Sequence, residues 1–393
     1  MDSVKFRVAL SGDFRRPDGS PTYPDFDLEP LRNAIGVEMV FLESNSPLRG
    51  DQLENFDALI LLAHRFDATS VPRSGRLAVV ARFGVGYDTV DVEACTAAGI
   101  ALVITPDGVR RPVAVSVITF ILALTGKLLT KDALTRKGSV GFEKRSEHMG
   151  VGLVGRTLGS LGIGNIGAEV FRLAKPFDMQ FIAHDPFAGK GVAADLGVEL
   201  VGLEDLFRRA DVLSVSCPLS PQTHHIVNAE RIALMKPTAY LINTARGPIV
   251  DQKALTQALQ ERRIAGAGLD VLEQEPPDAD DAILKLDNVI LAPHALCWTD
   301  QCFAGNGAAD VKAVIEARER RNRPQALPSM LSGLRPAPGR KRAASPDSLV
   351  FHSSLESTSR LTTPRGSRPR CMMKVRRVVS PRMKASTSAS RPA

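Results

Sequence analysis

Three glycines with a fixed spacing are the first residues whose types point to chemistry. Gly162, Gly164 and Gly167 form the pattern G-x-G-x-x-G after an apolar segment and before a helical run at 168–174. The first glycine permits a tight turn, the second lets the backbone approach a pyrophosphate, and the third lets the helix pack closely against the strand. The start of that helix offers free N–H groups to phosphates. Strand, glycines and helix together predict a dinucleotide-binding turn rather than an ordinary glycine-rich turn.

A carboxylate stands where a dinucleotide site needs one. The next apolar segment, Gln180 to His184, is followed by Asp185, which lies 18 residues after Gly167. A carboxylate at the end of this segment can accept hydrogen bonds from both ribose hydroxyls, and it would repel a 2′-phosphate. The sequence therefore predicts NAD as the cofactor, in preference to NADP.

Five further motifs surround the glycine turn in a fixed order. They are RFGVGYDTVD at 82–91, CPLSPQT at 217–223, INTARG at 242–247, GLDVLEQEP at 268–276 and APH at 292–294. Together with the glycine turn, these motifs resemble the D-isomer-specific 2-hydroxyacid dehydrogenase family, which includes phosphoglycerate dehydrogenase and the glyoxylate and hydroxypyruvate reductases. The resemblance implies an NAD-dependent oxidoreductase that transfers a hydride between the nicotinamide and C2 of a small D-2-hydroxy acid or 2-keto acid.

The resemblance implies roles for three polar side chains. Arg246 would bind the carboxylate and carbonyl oxygen of the substrate, because a guanidinium presents rigid paired donors. His294 would donate a proton to the C2 oxygen during keto-acid reduction and accept it in the reverse reaction. Glu275 would hydrogen-bond the far imidazole nitrogen, orient the ring and favour its protonated form. Each residue alone could be structural, but their order, with spacings of 29 and 19 residues, favours the catalytic interpretation.

The resemblance also assigns contacts to the backbone and the cofactor. The loop of Gly84, Val85 and Gly86 corresponds to the family's backbone amides that bind the substrate carboxylate from the opposite lobe. The positions that correspond to cofactor contacts are Asn165, Ile166, Pro218, Thr223 and Asp270, beside Gly162, Gly164, Gly167 and Asp185. Asp270 resembles the residue that holds the nicotinamide carboxamide. Because the hydride moves directly between substrate and nicotinamide, neither a metal site nor a covalent nucleophile is expected.

The elements that must position these residues follow an alternating α/β pattern. Short apolar runs, typical of parallel strands buried on both faces, predict strands at Val8–Ser11, Val37–Leu42, Ala58–Leu62, Ala78–Arg82, Ala101–Thr105, Thr157–Ile163, Gln180–His184, Val212–Ser216, Ala239–Asn243, Ala265–Asp270 and Val289–Ala292. An apolar helix, about Pro112 to Leu129, separates the two series of strands. The fold class is therefore α/β with two lobes, a cleft between them, and a crossover helix that joins them.

Four segments follow from this organisation. Residues 1–111 are assigned to a flavodoxin-like substrate domain, and residues 112–293 to a Rossmann NAD-binding domain with the crossover helix at its start. Residues 294–323 would return towards the substrate domain. Residues 324–393 are rich in Pro, Ser and Arg without a sustained period, and we expect them to be a disordered tail because such a segment buries too little apolar surface to offset its ordering entropy.

The basic net charge of +7 belongs to that tail. Residues 324–393 carry 14 Lys and Arg against two acids, which leaves the body of the chain with 36 basic and 41 acidic residues. A mildly acidic body argues against a nucleic-acid partner, which only the basic tail would allow.

Composition also bears on the compartment. The sequence lacks an apolar run of about 18 residues and a cleavable N-terminal signal pattern, so we expect a cytoplasmic protein without a membrane partner. The cysteines number five and lack C-x-x-C spacing, which favours reduced thiols.

The chain departs from the family pattern at three places. Trp298 adds bulk after His294, and it either narrows the substrate pocket or is a core or interface residue. Val115 stands where many relatives have a glutamate. The family pattern fades at about residues 322–324, and a disordered extension, a nucleic-acid-binding arm and a frame-shifted reading of the gene all fit; the abrupt change favours the last.

The sequence leaves more than one substrate possible, and it leaves a choice between an enzyme and a regulator. Glu275, where formate dehydrogenases carry glutamine, argues against formate, and phosphoglycerate is less favoured than glyoxylate or hydroxypyruvate, although Arg110 and Arg111 keep it open. Relatives are commonly homodimers. A non-catalytic NAD(H)-binding regulator of the same fold is the alternative function, and the presence of Arg246, Glu275 and His294 together favours the enzyme.

Overall fold

The computed structural model describes residues 5–23, 25–44, 46–321 and 350–352 of the chain. The predicted disorder of residues 324–393 falls mostly outside these ranges. At Val350–His352 the described backbone forms a short strand, where the sequence predicts none.

The first part of the chain forms a parallel sheet. Its strands are β1 (Phe6–Leu10), β2 (Val37–Phe41), β3 (Ala58–Leu61), β4 (Val79–Arg82), β5 (Ala101–Ile104) and β13 (Val350–His352). They lie in the order β13-β5-β4-β3-β1-β2, with all pairs parallel. All four residues of β3 are buried, which explains why this central strand is apolar throughout.

The second part forms another parallel sheet. Its strands are β6 (Thr157–Leu161), β7 (Gln180–His184), β8 (Glu199–Leu200), β9 (Val212–Val215), β10 (Tyr240–Asn243), β11 (Gly266–Leu269) and β12 (Val289–Leu291). Their order is β12-β11-β10-β9-β6-β7-β8, so the direction of winding reverses beside β6. Ligands bind at such a switch point in open α/β sheets. Besides β13, the sequence analysis missed β8 among the described strands, because its two exposed residues leave no hydrophobic pattern.

Helices cover both sheets. The α-helices are α1 (Glu29–Arg32), α2 (Gly50–Leu53), α3 (Val92–Ala97), α4 (Pro106–Thr125), α5 (Leu128–Arg136), α6 (Ser139–Glu143), α7 (Asn165–Ala174), α8 (Lys190–Leu196), α9 (Leu203–Arg209), α10 (Ala229–Ile232), α11 (Gln252–Gln260) and α12 (Asp300–Arg321). Short 3₁₀ helices occupy Gly12–Phe14, Ala68–Ser70, Lys144–Glu147, Lys175–Phe177, Gly247–Ile249 and Ala282–Lys285. Acidic caps fix several helix starts; for example, Asp251 accepts the amide of Ala254 at the start of α11 at 2.9 Å.

The crossover helix α4 begins earlier than the sequence predicts. We expected a start at Pro112, but Pro106 occupies the first turn, where a missing N–H costs nothing, and Pro112 lies inside the helix. The helix ends before Lys127, whose φ of 52° breaks the helical path, so Leu128 and Leu129 belong to α5. Among the described residues, α4 is the helix long and apolar enough to cross a membrane, but 56% of it is buried inside the protein, as in a core helix.

The last described helix, α12, returns to the first sheet. Its residues Cys302, Phe303, Val311 and Val314 join the core cluster that contains Val8 and Ile60. Near its end, the guanidinium of Arg321 pairs with the buried carboxylate of Asp57. Residues of the predicted return segment therefore complete the core of the first lobe.

Helices α4 and α12 meet with almost no side chain between them. A Cβ added to Gly305 would lie 2.9 Å from the Cα of Gly108, and a Cβ added to Gly108 would overlap the side chain of Asn306. Glycine at both positions is what allows the two backbones to approach this closely.

The described cysteines agree with the expectation of reduced thiols. Cys95, Cys217, Cys297 and Cys302 are all free, and Cys371 lies outside the described residues.

Candidate active site

The candidate site residues lie just beyond the carboxyl ends of strands. Gly84 to Gly86 follow β4, Gly162 follows β6, Asp185 follows β7, Arg246 follows β10, Asp270 follows β11, and His294 follows β12. Since the strands of each sheet are parallel, these ends share one edge of their sheet. This is the edge at which α/β sheets bind ligands.

The glycine turn has the geometry of a phosphate cradle. Gly162 has a φ of 100°, and a Cβ there would lie 2.9 Å from the carbonyl oxygen of Ser216. A Cβ on Gly167 would overlap the carbonyl oxygen of Gly162, whereas no atom lies within 4 Å of a Cβ on Gly164. Gly164 is exposed, and α7 begins at the next residue, Asn165. The open face of Gly164 and the free amides of the first helical turn fit a pyrophosphate.

The carboxylate of Asp185 lies beside the glycine turn. Its Oδ2 accepts the amide of Ile163 at 3.0 Å, and its Oδ1 accepts the amide of Phe187 at 2.8 Å. The carboxylate is therefore held beside the glycine turn by two backbone donors. This arrangement fits the ribose hydroxyls of NAD.

The loop after β9 is a compact turn closed by a threonine. The hydroxyl of Thr223 donates to the carbonyl of Pro218 at 2.6 Å and accepts the amide of Ser220 at 2.8 Å. The two positions that the sequence assigns to cofactor contacts, Pro218 and Thr223, therefore lie together.

Arg246 reaches from the second lobe to the first. Its Nε donates to Oδ1 of Asp88 at 2.8 Å, and a Cβ on Gly86 would overlap its Nη2. Burial raises the pKa of Asp88, but the nearby Arg246 outweighs burial and leaves the pKa below its usual range. The buried side chain of Asn243 fixes the turn, donating to the carbonyl of Arg246 at 2.9 Å. The guanidinium is thereby held over the glycine loop at 84–86.

A hydrogen bond to Thr105 holds the glycine loop at 84–86 in place. Gly84 has a φ of 129° and donates its amide to Oγ1 of Thr105 at 2.8 Å. That hydroxyl donates in turn to Oδ1 of the buried Asn306 in α12 at 2.7 Å. A chain of hydrogen bonds thus connects the candidate carboxylate-binding loop to the return helix.

His294 and Glu275 form a hydrogen-bonded pair. Nδ1 of His294 donates to Oε2 of Glu275 at 2.8 Å, while Oε1 accepts the amide of Leu272 at 2.9 Å. Burial raises the pKa of Glu275, but these hydrogen bonds and the positive charge of Arg246 leave it below its usual range. The carboxylate orients the imidazole so that Nε2 is left for a substrate, and Arg246 lies close enough to act on the same carboxylate electrostatically.

Asp270 holds the backbone that carries His294. Its Oδ1 accepts the amides of Ala295 and Leu296, each at 3.0 Å. His294 itself has a φ of 55°, a left-handed conformation that costs a non-glycine residue energy and is concentrated at functional sites. Burial raises the pKa of Asp270 even though the two amides oppose this. We assigned Asp270 to the cofactor only, and its anchoring of the histidine turn was not anticipated.

Two further charged residues near the glycine loop were also missed. A Cβ on Gly84 would overlap Nη1 of Arg82, so this guanidinium lies directly against the loop. Burial, followed by repulsion from Arg246, lowers the pKa of Arg82 to about 10. Asp310 of α12 is fully buried, and its burial raises its pKa well above the usual range. Arg82 is the first residue of the motif at 82–91 but was given no role, and Asp310 resembles any polar position of an exposed helix.

Arg110 and Arg111 were the residues that kept a phosphorylated substrate possible in the sequence. In the structure, both form ion pairs with the carboxylate of Glu169. Nη1 of Arg111 lies 2.5 Å from Oε1 of the buried Glu169, and Nη1 of Arg110 lies 3.6 Å from its Oε2. Arg172 donates to the same group at 3.0 Å. Both arginines are thereby engaged in an ion-pair network between α4 and α7.

Trp298 packs against aromatic residues of the first lobe. Its ring meets Tyr23 edge to face with centroids 5.4 Å apart, and it meets Phe303 in the same way at 5.6 Å. The side chain remains 48% exposed, so it is not a core residue. Val115, the other departure from the family pattern, is also exposed.

Comparison with known proteins gives consistent matches. Residues 118–295 match the model of the NAD-binding domain of D-isomer-specific 2-hydroxyacid dehydrogenases. A glyoxylate reductase from Korarchaeum cryptofilum is 41% identical over 247 residues, which cover 62% of this chain and 74% of that protein. A D-3-phosphoglycerate dehydrogenase from Methanocaldococcus jannaschii is 41% identical over 249 residues, covering 62% of this chain and 47% of that protein.

A solved structure extends the likeness to both sheets. The D-lactate dehydrogenase of Aquifex aeolicus, in complex with NAD and lactic acid, superposes with a TM-score of 0.68 and 28% identity. The match covers 81% of this chain and 97% of that one.

Proposed function

Because the chain belongs to the D-isomer-specific 2-hydroxyacid dehydrogenase family and is an NAD-dependent oxidoreductase, we propose that it reduces a small, unphosphorylated 2-keto acid, such as glyoxylate or hydroxypyruvate. The product would be the corresponding 2-hydroxy acid, in the D configuration where C2 is a stereocentre. The observation that carries this proposal is the hydrogen-bonded pair of His294 and Glu275 in the same site as Arg246. A regulator that only senses NAD(H) would need the glycine turn but not this set for binding an anion and moving a proton.

In this proposal, two groups from opposite lobes hold the substrate carboxylate. Arg246 offers Nη2, which lies against Gly86, and the backbone amides of Val85 and Gly86 would be the donors that the glycine loop supplies. A guanidinium binds a planar carboxylate with paired hydrogen bonds, which fixes the plane of the keto acid. Fixing that plane orients C2 for transfer.

The proton comes from the histidine. Nε2 of His294 donates to the C2 oxygen as negative charge develops there, and Glu275 stabilises the positively charged ring through Nδ1. The glycine turn and Asp185 would hold NADH, which would supply the hydride for C2. In the oxidation direction, the same Nε2 accepts the proton from the hydroxyl.

Two observations favour a small substrate without a phosphate. Arg110 and Arg111 are engaged by Glu169, so they offer no ready cationic pair for a phosphate. Trp298 and Tyr23 form an aromatic contact after the histidine turn, and we propose that this contact narrows the pocket. The pocket proposal is tested by Trp298→Ala, which should broaden the range of accepted keto acids; an unchanged preference profile would rule it out.

The function is tested by following NADH oxidation at 340 nm against a panel of 2-keto acids. We expect turnover with glyoxylate or hydroxypyruvate, weaker turnover with 3-phosphohydroxypyruvate, and none with pyruvate analogues that lack the carboxylate. His294→Gln and Arg246→Gln serve as controls and should each lose activity while still binding NADH. Turnover that survives in both variants would contradict the proposed roles.

We also propose a homodimer through one apolar face of the second lobe. Large apolar side chains are exposed on α4 to α6 and just after them: Leu122, Leu128, Leu129, Val140, Phe142 and Met149. Exposed apolar side chains grouped on consecutive helices that contact one another, α4 with α5 and α5 with α6, are characteristic of an interface. Light scattering should give twice the chain mass for the wild type, and Phe142→Asp should shift the population to monomer; a monomeric wild type would contradict the proposal.

A further inference from the structure

A cluster of two histidines and one glutamate lies beside the candidate active site. Ligand atoms of His224, His225 and Glu273 all lie within 4.8 Å of one another. The histidines directly follow Thr223, and Glu273 lies on the loop between Asp270 and Glu275. None of the three side chains has a part in the proposed hydride or proton transfer.

The carboxylate of Glu273 is held from both sides. Its Oε1 accepts from Nε2 of His225 at 2.6 Å, and its Oε2 accepts the backbone amide of Gln252 at 3.0 Å. The side chain of Gln252 in turn accepts the amide of Glu273 at 2.9 Å. The two hydrogen bonds with Gln252 orient Glu273 as outer contacts orient a metal ligand, whereas zinc would displace the proton between Nε2 of His225 and Oε1 of Glu273.

The two imidazoles lie against one another. Their rings stack with centroids 4.0 Å apart and an angle of 26° between the planes. His225 adopts a φ of 50°, a left-handed conformation, and its amide donates to the carbonyl of Pro248 at 2.9 Å. This unusual backbone turns adjacent side chains towards the same carboxylate, whereas adjacent residues of an extended segment would point to opposite sides.

We propose that His224, His225 and Glu273 form a binding site for Zn²⁺, with water as the fourth ligand. Two neutral imidazole nitrogens and one carboxylate oxygen are a common zinc ligand set, and a fourth position left to water suits a site open to solvent. Ligand atoms of a tetrahedral zinc site are about 3.3 Å apart, given bonds of about 2.0 to 2.1 Å. Ligand atoms up to 4.8 Å apart would need to approach by roughly 1.5 Å, and Nε2 of His225 and Oε1 of Glu273, now 2.6 Å apart, would need to separate by roughly 0.7 Å. A rotation of the exposed His224 supplies the larger movement.

Zinc at this site would connect two loops that are distant in sequence. His225 and Glu273 are separated by 48 residues, and they flank the turns that carry Thr223 and Glu275. A metal that binds only the folded arrangement stabilises the protein by mass action. The nitrogen ligands also select zinc over magnesium, which prefers an all-oxygen environment.

The test is a calorimetric titration of the full, NAD-free chain with Zn²⁺, with Mg²⁺ as a second titrant. We expect one zinc per chain and no comparable heat from magnesium. His224→Ala and Glu273→Gln should each weaken zinc binding by about tenfold or more, while His148→Ala, which removes a histidine far along the chain, should not. The melting temperature should rise with Zn²⁺ in the wild type and in His148→Ala but not in the other two variants.

The free cysteines require their own control, because thiolates also bind zinc. Cys297→Ser should bind zinc as the wild type does. Zinc binding that is lost in Cys297→Ser, that persists undiminished in His224→Ala and Glu273→Gln, or that is absent from the wild type would overturn the proposal. Because the readout is metal binding rather than turnover, its failure would leave the dehydrogenase proposal untouched.

Discussion

Arg246 and Asp88 connect the two lobes across the candidate site, with Nε of the arginine 2.8 Å from Oδ1 of the aspartate. The two residues are 158 positions apart, and each lies in a motif near a strand end. Because Asp88 binds Nε, Nη2 remains directed to the glycine loop, while Nη1 donates to the carbonyl of Ala245 at 2.7 Å. The aspartate therefore positions the arginine that we assign to the substrate.

Asp88→Asn should distinguish the effect of Asp88 on the orientation of Arg246 from the effect of its negative charge on substrate binding. We expect kcat for keto-acid reduction to fall about tenfold, because the plane of the guanidinium is less firmly held. The KM for the keto acid should not rise, because losing the negative charge of Asp88 strengthens attraction for an anionic substrate. Steady-state kinetics measure both values. Glu93→Gln, which removes an exposed charge from the same lobe, is the matched control, and an unchanged kcat in Asp88→Asn would refute the positioning role.

Glu275→Gln should change the pH profile. The pKa of Glu275 is below its usual range, so its carboxylate stays charged at neutral pH and supports the protonated ring of His294. We expect kcat to fall at least about tenfold and the alkaline limit of keto-acid reduction to move to lower pH, because the protonated ring loses its neighbouring negative charge. Rates measured across pH test this. A profile that keeps its alkaline limit would show that Glu275 is not coupled to the proton donor.

The sign of the stability effect at this pair follows from the same pKa. For a carboxyl group whose pKa is lowered by folding, the stabilising contribution is present above the ordinary carboxyl range and is lost as the pH falls through the lowered pKa. The wild type should therefore lose more stability than Glu275→Gln on acidification, which denaturant titrations at neutral and acid pH can compare.

Gly164→Ala should weaken NADH binding, whereas Gly167→Ala should lower the stability of the protein. The added methyl group on Gly164 meets no protein atom within 4 Å, so the melting temperature should stay the same while the KM for NADH rises about tenfold. The methyl group on Gly167 would overlap the carbonyl of Gly162, which should cost about 1 to 3 kcal/mol of stability. Thermal melting and NADH kinetics on both variants give the comparison. Equal loss of stability in the two would show that Gly164 does not face a ligand.

Asp185→Asn should relax the choice of cofactor. The amide keeps an oxygen for backbone donors but removes the charge that repels a 2′-phosphate. The preference for NADH over NADPH, measured as a ratio of kcat/KM values, should fall at least about tenfold. Asp195→Asn, an exposed position on α8, is the control. A ratio that does not move would assign the discrimination to another residue.

The sequence predicts local requirements of this site well. The positive φ of Gly162 and the close packing at Gly167 can be met only by glycine, so the pattern records the geometry directly. The buried strands are apolar because helices cover both faces of the sheets, and the candidate residues follow the ends of those strands.

Contacts between distant segments were not predictable in this way. The hydrogen bond from Thr105 to Asn306 joins residues 201 positions apart, and nothing in one sequence records such a pairing. Asn306 and Asp310 resemble the polar face of a surface helix, yet α12 buries them against the glycine loop and its neighbours. The start of α4 was misjudged for a related reason, since Pro112 usually begins a helix and here lies within one that is held by packing on both sides.

The backbone contact between Gly108 and Gly305 determines how the cleft can move. If α4 slid along α12 by one turn, Arg111 or Pro112 would replace Gly108 at a place where even a methyl group finds no room. Sliding in that direction is therefore blocked, while tilting about the contact keeps the two glycines together. We therefore expect the lobes to approach one another by rotating about the contact between the two glycines rather than by shearing.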